Sequence, residues 1–236
     1  SRAFGDLSQI VKKRIAEQEI EFGANIKNIR DDSDILKQAK AEDLIEYGFE
    51  SEFVGRLPVR AVFEKLTEDD LFEILKNPSN PITLGKKLDF AAYGIDIIFE
   101  HSAFEILAKN AVLENTGARG LVSAVEEALL VFEKKLPSTN IKKFPVTATD
   151  VENPEKSLEK ILTLSNHDKL NETYERLFVA EKEYIKRYLD SHKKIFAKKY
   201  GLTLTQSRID VVASYYANHI MDIEKVIKKI KSSLII

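Results

Sequence analysis

The feature that most constrains the fold is a pattern of apolar residues three and four positions apart in the last third of the chain. From residue 168 to 200 the pattern comprises Leu170, Tyr174, Leu177, Phe178, Ile185, Tyr188, Leu189, Ile195 and Phe196. After Gly201 it resumes with Ile209, Val212, Tyr216, Ile220, Ile223, Val226, Ile227 and Ile230. This spacing is typical of helices with one buried face. Two helices of about 30 residues, each about 45 Å long, with a short turn between them predict an antiparallel helical hairpin.

Shorter elements precede the hairpin. The first 65 residues predict a helix at 6–18, a polar loop at 21–38, a helix from Ala41 to Gly48, a tight turn at 53–58 and a strand at Val59–Phe63. Residues 67–150 predict the order α-α-β-α-α-β. Its elements are a helix from the Thr67–Asp70 capping box to Lys76, a helix Ile82–Tyr93, a strand Ile95–Phe99, a helix Ser102–Asn115, a helix Leu121–Lys135 and an alternating edge strand Phe144–Thr149. The predicted fold class is an α-rich α/β fold.

Composition narrows the function classes. The 236 residues include 36 basic and 38 acidic side chains, so no global attraction to nucleic acid or to an anionic membrane is expected. With no cysteine, disulfides, zinc-thiolate sites and thiol catalysis are excluded. The chain has no apolar run of transmembrane length and no signal pattern, so a soluble cytoplasmic protein is expected. No Walker A or Gly-x-Gly-x-x-Gly loop is present.

Charge is unevenly distributed along the chain. Residues 1–150 hold 20 basic and 26 acidic side chains, whereas residues 151–236 hold 16 and 12. This shift predicts two modules that meet near Val151. The only methionine is Met221 and the chain opens at Ser1, so we expect a piece of a longer protein or a processed product.

Two sequence segments say more about function than composition does. The segment Glu42–Val59, with Gly55-Arg56-Leu57-Pro58 near its end, resembles ClpX-type AAA+ unfoldases around their arginine-finger motif. The segment Thr116–Leu121 resembles the sensor-2 motif of the same family. Ala3–Leu7 resembles the segment just after sensor 1, and residues 66–78 keep the family's pattern between the two motifs. The resemblance covers about residues 1–150.

The resemblance implies a domain organisation and two nucleotide-directed arginines. Residues 1–64 would end the large AAA+ subdomain, residues 65–150 would form the small α/β lid, and residues 151–236 would be a helical extension. Arg56 would reach the ATP of a neighbouring subunit in trans, which implies a homo-oligomeric ring, expected to be a hexamer. Arg119, with Gly117 and Ala118, would contact ATP in its own subunit. ATP and Mg²⁺ would be held mainly by residues outside this chain, so the chain alone is not expected to be active.

A third expected site departs from the family pattern. ClpX-type proteins dock on a ClpP-like peptidase through a loop of the form aliphatic-Gly-aromatic or aliphatic, and Ile20-Glu21-Phe22 stands at the matching positions. The apolar residues are kept, but Glu21 replaces a glycine that permits positive φ and close approach. An exposed loop with scattered apolar residues is the alternative.

The extension has no counterpart in that resemblance. Two lysine clusters (Lys193, Lys194, Lys198 and Lys199; Lys225, Lys228, Lys229 and Lys231) fit a solvated helix face better than a phosphate-binding surface. His192 and His219 fit packed side chains better than metal ligands, so no metal site is predicted. Two functions remain open. One is the C-terminal half of an ATP-dependent unfoldase, acting on protein substrates. The other is a non-catalytic protein-interaction module that uses the hairpin on an AAA+ scaffold.

Overall fold

The structure of the chain is a computed structural model that describes residues 6–22, 32–57, 59, 61–114, 116–163 and 167–233. Of residues 18–22 and 32–33 it describes the backbone alone. The chain divides into two compact units, Ser1–Lys65 and Leu66–Ile236. Helices dominate the described residues, whose sheet has two strands. This architecture confirms the α-rich α/β class.

The first unit consists of short helices around a small apolar core. Its helices are α1 (Leu7–Phe22), α2 (Asp32–Lys37), α3 (Ala41–Tyr47) and α4 (Ser51–Gly55). The core is formed by Leu7, Val11 and Ile35, with partly buried Ile15, Leu36, Ala39, Leu44 and Tyr47 packed against it. The predicted helices at 6–18 and 41–48 are confirmed, and Gly48 ends α3 with a φ of 116°. The loop predicted over 21–38 is wrong at α2, because Ile35 is buried in the core.

A buried ion pair ties α1 to α3. Asp43 Oδ1 accepts a hydrogen bond of 2.6 Å from Arg14 Nε, and its Oδ2 accepts one of 2.6 Å from the Lys40 N–H. Burial by itself would raise the pKa of the Asp43 carboxyl, but the hydrogen bonds from Arg14 and Lys40 outweigh it and lower this pKa. The ionised carboxylate therefore stabilises the folded unit.

Replacing Asp43 by asparagine is expected to lower the free energy of opening of α1 and α3 by about 2 kcal/mol at neutral pH. Because the folded pKa lies below the ordinary value of 3.8, this stabilisation is complete above pH 3.8 and is lost as pH falls through the folded value. Amide hydrogen exchange in α1 and α3 measures the effect, with Lys13→Gln at an exposed position of α1 as the control. Equal protection of wild type and Asp43→Asn at neutral pH would contradict the assignment.

Two predictions at the end of the first unit are wrong. The predicted turn over 53–58 is instead helix α4 followed by Arg56, and Pro58 lies outside the described residues. The predicted strand Val59–Phe63 is neither helix nor strand at its described residues, where Val59 is 79% and Phe63 is 90% exposed. A strand requires a partner for its N–H and C=O groups, and the described part of this unit supplies none.

The second unit begins with the predicted α-α-β-α-α-β order, which is confirmed. Its elements are α5 (Glu68–Lys76), α6 (Pro81–Ala91), β1 (Asp96–Phe99), α7 (His101–Leu113), α8 (Ala118–Lys135) and β2 (Lys143–Val146). We call residues 66–150 the sheet core. β1 and β2 pair in parallel, with Asp96 opposite Lys143 and Phe99 opposite Val146. The crossover through α7 and α8 supplies the long connection that a parallel pair needs.

Side-chain caps set the starts of α5 and α6 in the sheet core. The Thr67–Asp70 capping box is confirmed, because Thr67 Oγ1 accepts from Asp70 N at 3.2 Å and Asp70 Oδ2 accepts from Thr67 N at 2.9 Å. α6 begins at Pro81 behind Asn80, whose Oδ1 accepts from Ile82 N at 2.7 Å. The predicted cap Ser102 is wrong: Glu100 is the residue before α7, and the Ser102 hydroxyl donates to its carboxylate.

The sheet core is built around three buried phenylalanines. Phe132 of α8 packs on Phe144 of β2 with ring centroids 4.8 Å apart, and Phe144 packs on Phe90 of α6 at 6.3 Å. Strand β2 has a single neighbour, β1, in the described sheet, but the alternating burial predicted for it is wrong, because Phe144, Pro145 and Val146 are all buried. A strand with several consecutive buried residues is typical of a sheet whose faces are covered by helices.

Six helices follow β2 in the described part of the chain, and the first of them crosses the predicted boundary between residues 150 and 151. They are α9 (Ala148–Glu152), α10 (Pro154–Thr163), α11 (Asp168–Ser191), α12 (Lys193–Tyr200), α13 (Gln206–Ala217) and α14 (Ile223–Ser233). The hairpin of two uninterrupted helices is therefore wrong in detail, although α11 does pack against α13. The breaks follow from side chains that satisfy helix ends. Asn218 Nδ2 donates to the Ser214 carbonyl at 2.8 Å, and Asp222 Oδ1 accepts from Glu224 N at 2.7 Å.

The extension is fastened to the sheet core within the second unit. Leu158 and Ile161 of α10 belong to the same apolar cluster as the sheet-core residues. The Tyr216 hydroxyl donates to the Pro78 carbonyl at 3.2 Å, and the Ser79 hydroxyl donates to Asp222 Oδ1 at 3.0 Å. A second apolar cluster forms the C-terminal lobe, defined as residues 184–233. The domain boundary between residues 150 and 151 stays a prediction.

Candidate functional site

Arg56 stands at the end of α4 with its guanidinium in solvent. The residue follows the last helical residue, Gly55, and its N–H donates to the Phe53 carbonyl at 3.1 Å. Its side chain is 77% exposed, and Nη2 lies 2.6 Å from Glu52 Oε1 one helical turn earlier. An exposed pair of this kind contributes little to stability. The guanidinium is thus held loosely and remains able to meet another anion.

Arg119 is the second residue of α8 and is exposed. Gly117 precedes the helix with a φ of 65°, a conformation that glycine adopts without strain. The first turn of α8 contains no acidic side chain. Its backbone N–H groups and the positive end of the helix dipole therefore add to the attraction of Arg119 for an anion.

Gly120 explains how the backbone beside Arg119 is positioned. A Cβ at Gly120 would lie 2.7 Å from the Ala111 carbonyl oxygen and 3.1 Å from Glu114 Cβ. The first turn of α8 thus packs against the end of α7 at a distance that only glycine permits. The sequence suggested a helix break here, but it did not show that the glycine fixes the position of the neighbouring arginine.

The two arginines belong to different units, Arg56 to the first and Arg119 to the second. The third predicted site, Ile20-Glu21-Phe22, has a backbone that forms the end of α1 rather than a loop. Its side chains, and the residues 23–31 that follow, lie outside the described residues. The peptidase-docking role stays a prediction.

Two of the three histidines of the extension, His192 and His219, each stack on a tyrosine four residues earlier. The ring centroids of Tyr188 and His192 are 4.3 Å apart, and those of Tyr215 and His219 are 3.9 Å apart. Each histidine Nδ1 is hydrogen-bonded to the carbonyl oxygen of its tyrosine. Among the described residues, no group of three or more His, Asp or Glu side chains could hold a metal ion.

A cavity of about 300 Å³, which no feature of the sequence indicated, lies between the sheet core and the extension. Lys87 and Glu181 pair across it at 2.6 Å, and Lys143 pairs with Glu175. Burial, and then the negative charge of Asp96, raises the pKa of the Tyr174 hydroxyl. Because its lining comes from β1, β2, α6, α11 and α13, no local motif could have predicted this cavity.

Comparison with known proteins gives one consistent result. The chain is 39% identical over 166 residues to the ATP-dependent Clp protease ATP-binding subunit ClpX of Borrelia duttonii (strain Ly), and equally to that of Borrelia recurrentis (strain A1). The ClpX subunit of Treponema denticola is 35% identical over 138 residues. The chain resembles the C-terminal portion of ClpX. Among models of protein families, none matches.

The ClpX likeness covers most of this chain but a minority of each relative. The aligned regions span 70%, 70% and 58% of the chain, and 38%, 38% and 33% of the three ClpX subunits. The chain therefore spans less than two fifths of the length of these relatives. In the described part of this ClpX-like chain, no helix is long and apolar enough to cross a membrane.

Proposed function

We propose that this chain is the C-terminal half of an ATP-dependent ClpX-like AAA+ unfoldase. Residues 1–64 end the large subdomain, residues 65–150 form the lid, and residues 151–236 extend it. The observation that carries the proposal is the likeness, over 70% of the chain, to subunits named as the ATP-binding part of Clp protease. Two exposed arginines at helix ends support it, because each can meet a phosphate.

In this proposal, Arg56 acts in trans. Phosphoryl transfer develops charge on the γ-phosphate oxygens, and a guanidinium placed there stabilises the transition state. The pair with Glu52 is exposed, so Arg56 can exchange this carboxylate for a phosphate at little cost. Since the finger serves another subunit, a homo-oligomeric ring follows, and we propose a hexamer.

Arg119 acts in cis, with Gly117 and Ala118 shaping the start of α8. Bound ATP with Mg²⁺ would supply the phosphoanhydride bond whose hydrolysis releases free energy. The chain offers Arg119 and the first-turn N–H groups of α8 to the phosphates, in a place that Gly120 keeps fixed. The residues that hold most of the nucleotide are not in this chain. Movement of the lid would carry the extension with it, because Tyr216 and Asp222 fasten the two together.

Protein substrates, and a ClpP-like peptidase, are the proposed partners of the complete ring. The relatives are named as subunits of a protease, and Ile20 and Phe22 keep the apolar residues expected of a peptidase-docking segment. A cytoplasmic location stays part of this proposal. The alternative, a non-catalytic interaction module, predicts that the reading frame before Ser1 encodes no Walker A or Walker B motif.

Replacing Arg119 by alanine in the complete protein is expected to weaken ATP binding by about 10- to 100-fold, because one charged hydrogen-bond donor is lost. Titration with a fluorescent ATP analogue measures this, and the 236-residue chain alone is expected to bind ATP negligibly. Lys134→Ala, an exposed change in the last turn of α8, is the matched control. Unchanged affinity in Arg119→Ala, or micromolar binding by the chain alone, would overturn the assignment.

A further inference from the structure

Two exposed helical surfaces of this chain have matching geometry and opposite charge. On α12, Lys194 and Lys198 are exposed one turn apart, and Ile195 beside them is 59% exposed. On α3, Glu42 and Glu46 are exposed one turn apart, and Ile45 between them is 43% exposed. We call these the basic face and the acidic face. In each, two like charges about 6 Å apart along the helix flank an exposed isoleucine.

The charge of the surroundings reinforces each face. Apart from the buried Asp43, residues 41–57 contain four acidic side chains and one basic one, and residues 193–233 contain nine basic side chains and three acidic ones. The basic face continues onto α14 through Tyr200, because Lys199 Nζ and Lys228 Nζ lie 5.4 Å and 5.7 Å from its ring. On the next helix, α4, Glu52 is also exposed, and Phe53 beside it is 51% exposed.

We propose that the basic face of one copy of this chain docks on the acidic face of a second copy. The two isoleucines would form the apolar centre of the contact, and the Lys–Glu pairs would form its polar rim. Such a contact joins different surfaces of two copies, so it is heterologous and can close into a ring. This docking contact rests on the ring assembly of the proposed function. It adds to that function because α3 and α4 are consecutive helices, and Arg56 follows α4.

The contact has a mechanical consequence within that assembly. The C-terminal lobe is fastened to the sheet core by Tyr216–Pro78 and Ser79–Asp222, so its basic face moves with the second unit. A docked lobe would link the second unit of one copy to the α3–α4 region of the next. The extension thereby strengthens the subunit contact on which a trans-acting Arg56 depends.

The test is a charge swap on the whole 236-residue chain. Two double variants each place like charges at the contact. One is Lys194→Glu/Lys198→Glu on the basic face, and the other is Glu42→Lys/Glu46→Lys on the acidic face. Sedimentation velocity over a concentration series measures association at about 0.05 M and about 0.5 M NaCl, which differ strongly in screening. Lys156→Glu/Lys160→Glu makes the same change at the same spacing, at two exposed positions of α10, and is the matched control.

We expect wild type and the α10 control to associate at low salt and to weaken at high salt. Each reversed variant is expected to associate at least about tenfold more weakly. An equimolar mixture of the two reversed variants, or all four changes in one chain, is expected to restore association. Circular dichroism checks that all variants stay folded.

Several outcomes would overturn the proposal. These are a monomeric wild type, reversed variants that associate like wild type, or a mixture of folded variants that stays monomeric. A wild type that stays monomeric but is retained on a polyanion such as single-stranded DNA would instead identify nucleic acid as the occupant. A failure of the docking contact can be told apart from a failure of the proposed unfoldase function. If Lys194→Glu/Lys198→Glu leaves ring assembly and ATP turnover of the complete protein unchanged, the docking contact fails and the unfoldase assignment stands.

Discussion

Replacing Arg56 by alanine is expected to reduce ATP turnover of the complete ring by about a thousandfold or more while ATP still binds. The guanidinium is proposed to act on the transition-state charge of a neighbour's nucleotide, so the loss falls on kcat rather than on affinity. Steady-state ATPase assays and an ATP-analogue titration on the same variant separate the two effects.

Two matched variants make the Arg56 test specific. Arg56→Lys keeps the charge but loses the planar fork and is expected to stay severely impaired. Glu52→Gln removes the intrachain partner at 2.6 Å but leaves the guanidinium, so near-normal turnover is expected. Normal turnover in Arg56→Ala would remove the arginine-finger assignment, whereas equal loss in Glu52→Gln would point to a structural role for the pair.

Replacing Phe132 by alanine is expected to lower the free energy of unfolding of the second unit by about 3–5 kcal/mol. Phe132 is fully buried, and its ring packs on Phe144, which in turn packs on Phe90. Removing the ring leaves a cavity where α6, α8 and β2 meet, because rigid neighbours on three elements cannot all close it. Urea unfolding monitored by circular dichroism measures the change.

The control for Phe132 lies on the same helix. Leu130→Ala removes a comparable apolar side chain that is 43% exposed, and it is expected to cost less than about 1 kcal/mol. A Phe132→Ala loss no larger than that of Leu130→Ala would show that the three-phenylalanine cluster is not the centre of the core. Because α10 joins the same cluster, we also expect the extension to unfold together with the sheet core.

Predictions from the sequence succeed where the signal is local. The Thr67–Asp70 capping box fixed the start of α5, and the periodicity of residues 67–150 correctly ordered four helices and two strands. The resemblance to ClpX-type proteins agrees with the likeness to ClpX subunits. These signals work because a cap is set by residues three or four apart, and a buried helix face shows as a repeat.

Predictions fail where the outcome depends on a distant partner. Val59–Phe63 has the composition of a strand, but pairing requires a second strand that the described part of its unit does not contain. The long extension helices are interrupted at His192 and at residues 218–222, where the His192 and Asn218 side chains bond to backbone carbonyl oxygens one turn earlier. The apolar repeat continues through these breaks, because residues on both sides of each break pack into one core. The repeat alone therefore does not reveal where the helices end.

The sequence by itself determined the α-rich α/β class, the order of elements in residues 67–150 and the resemblance to ClpX. The tertiary structure alone decided that Gly120 packs on the Ala111 carbonyl beside Arg119, and that α10 and Tyr216 join the extension to the sheet core. It also decided that lysines and glutamates on α12 and α3 form matched exposed faces. The physical reason is the distance along the chain over which the interactions act. Periodicity and caps act over a few residues, whereas close approach, burial and surface charge depend on chain segments far apart in sequence.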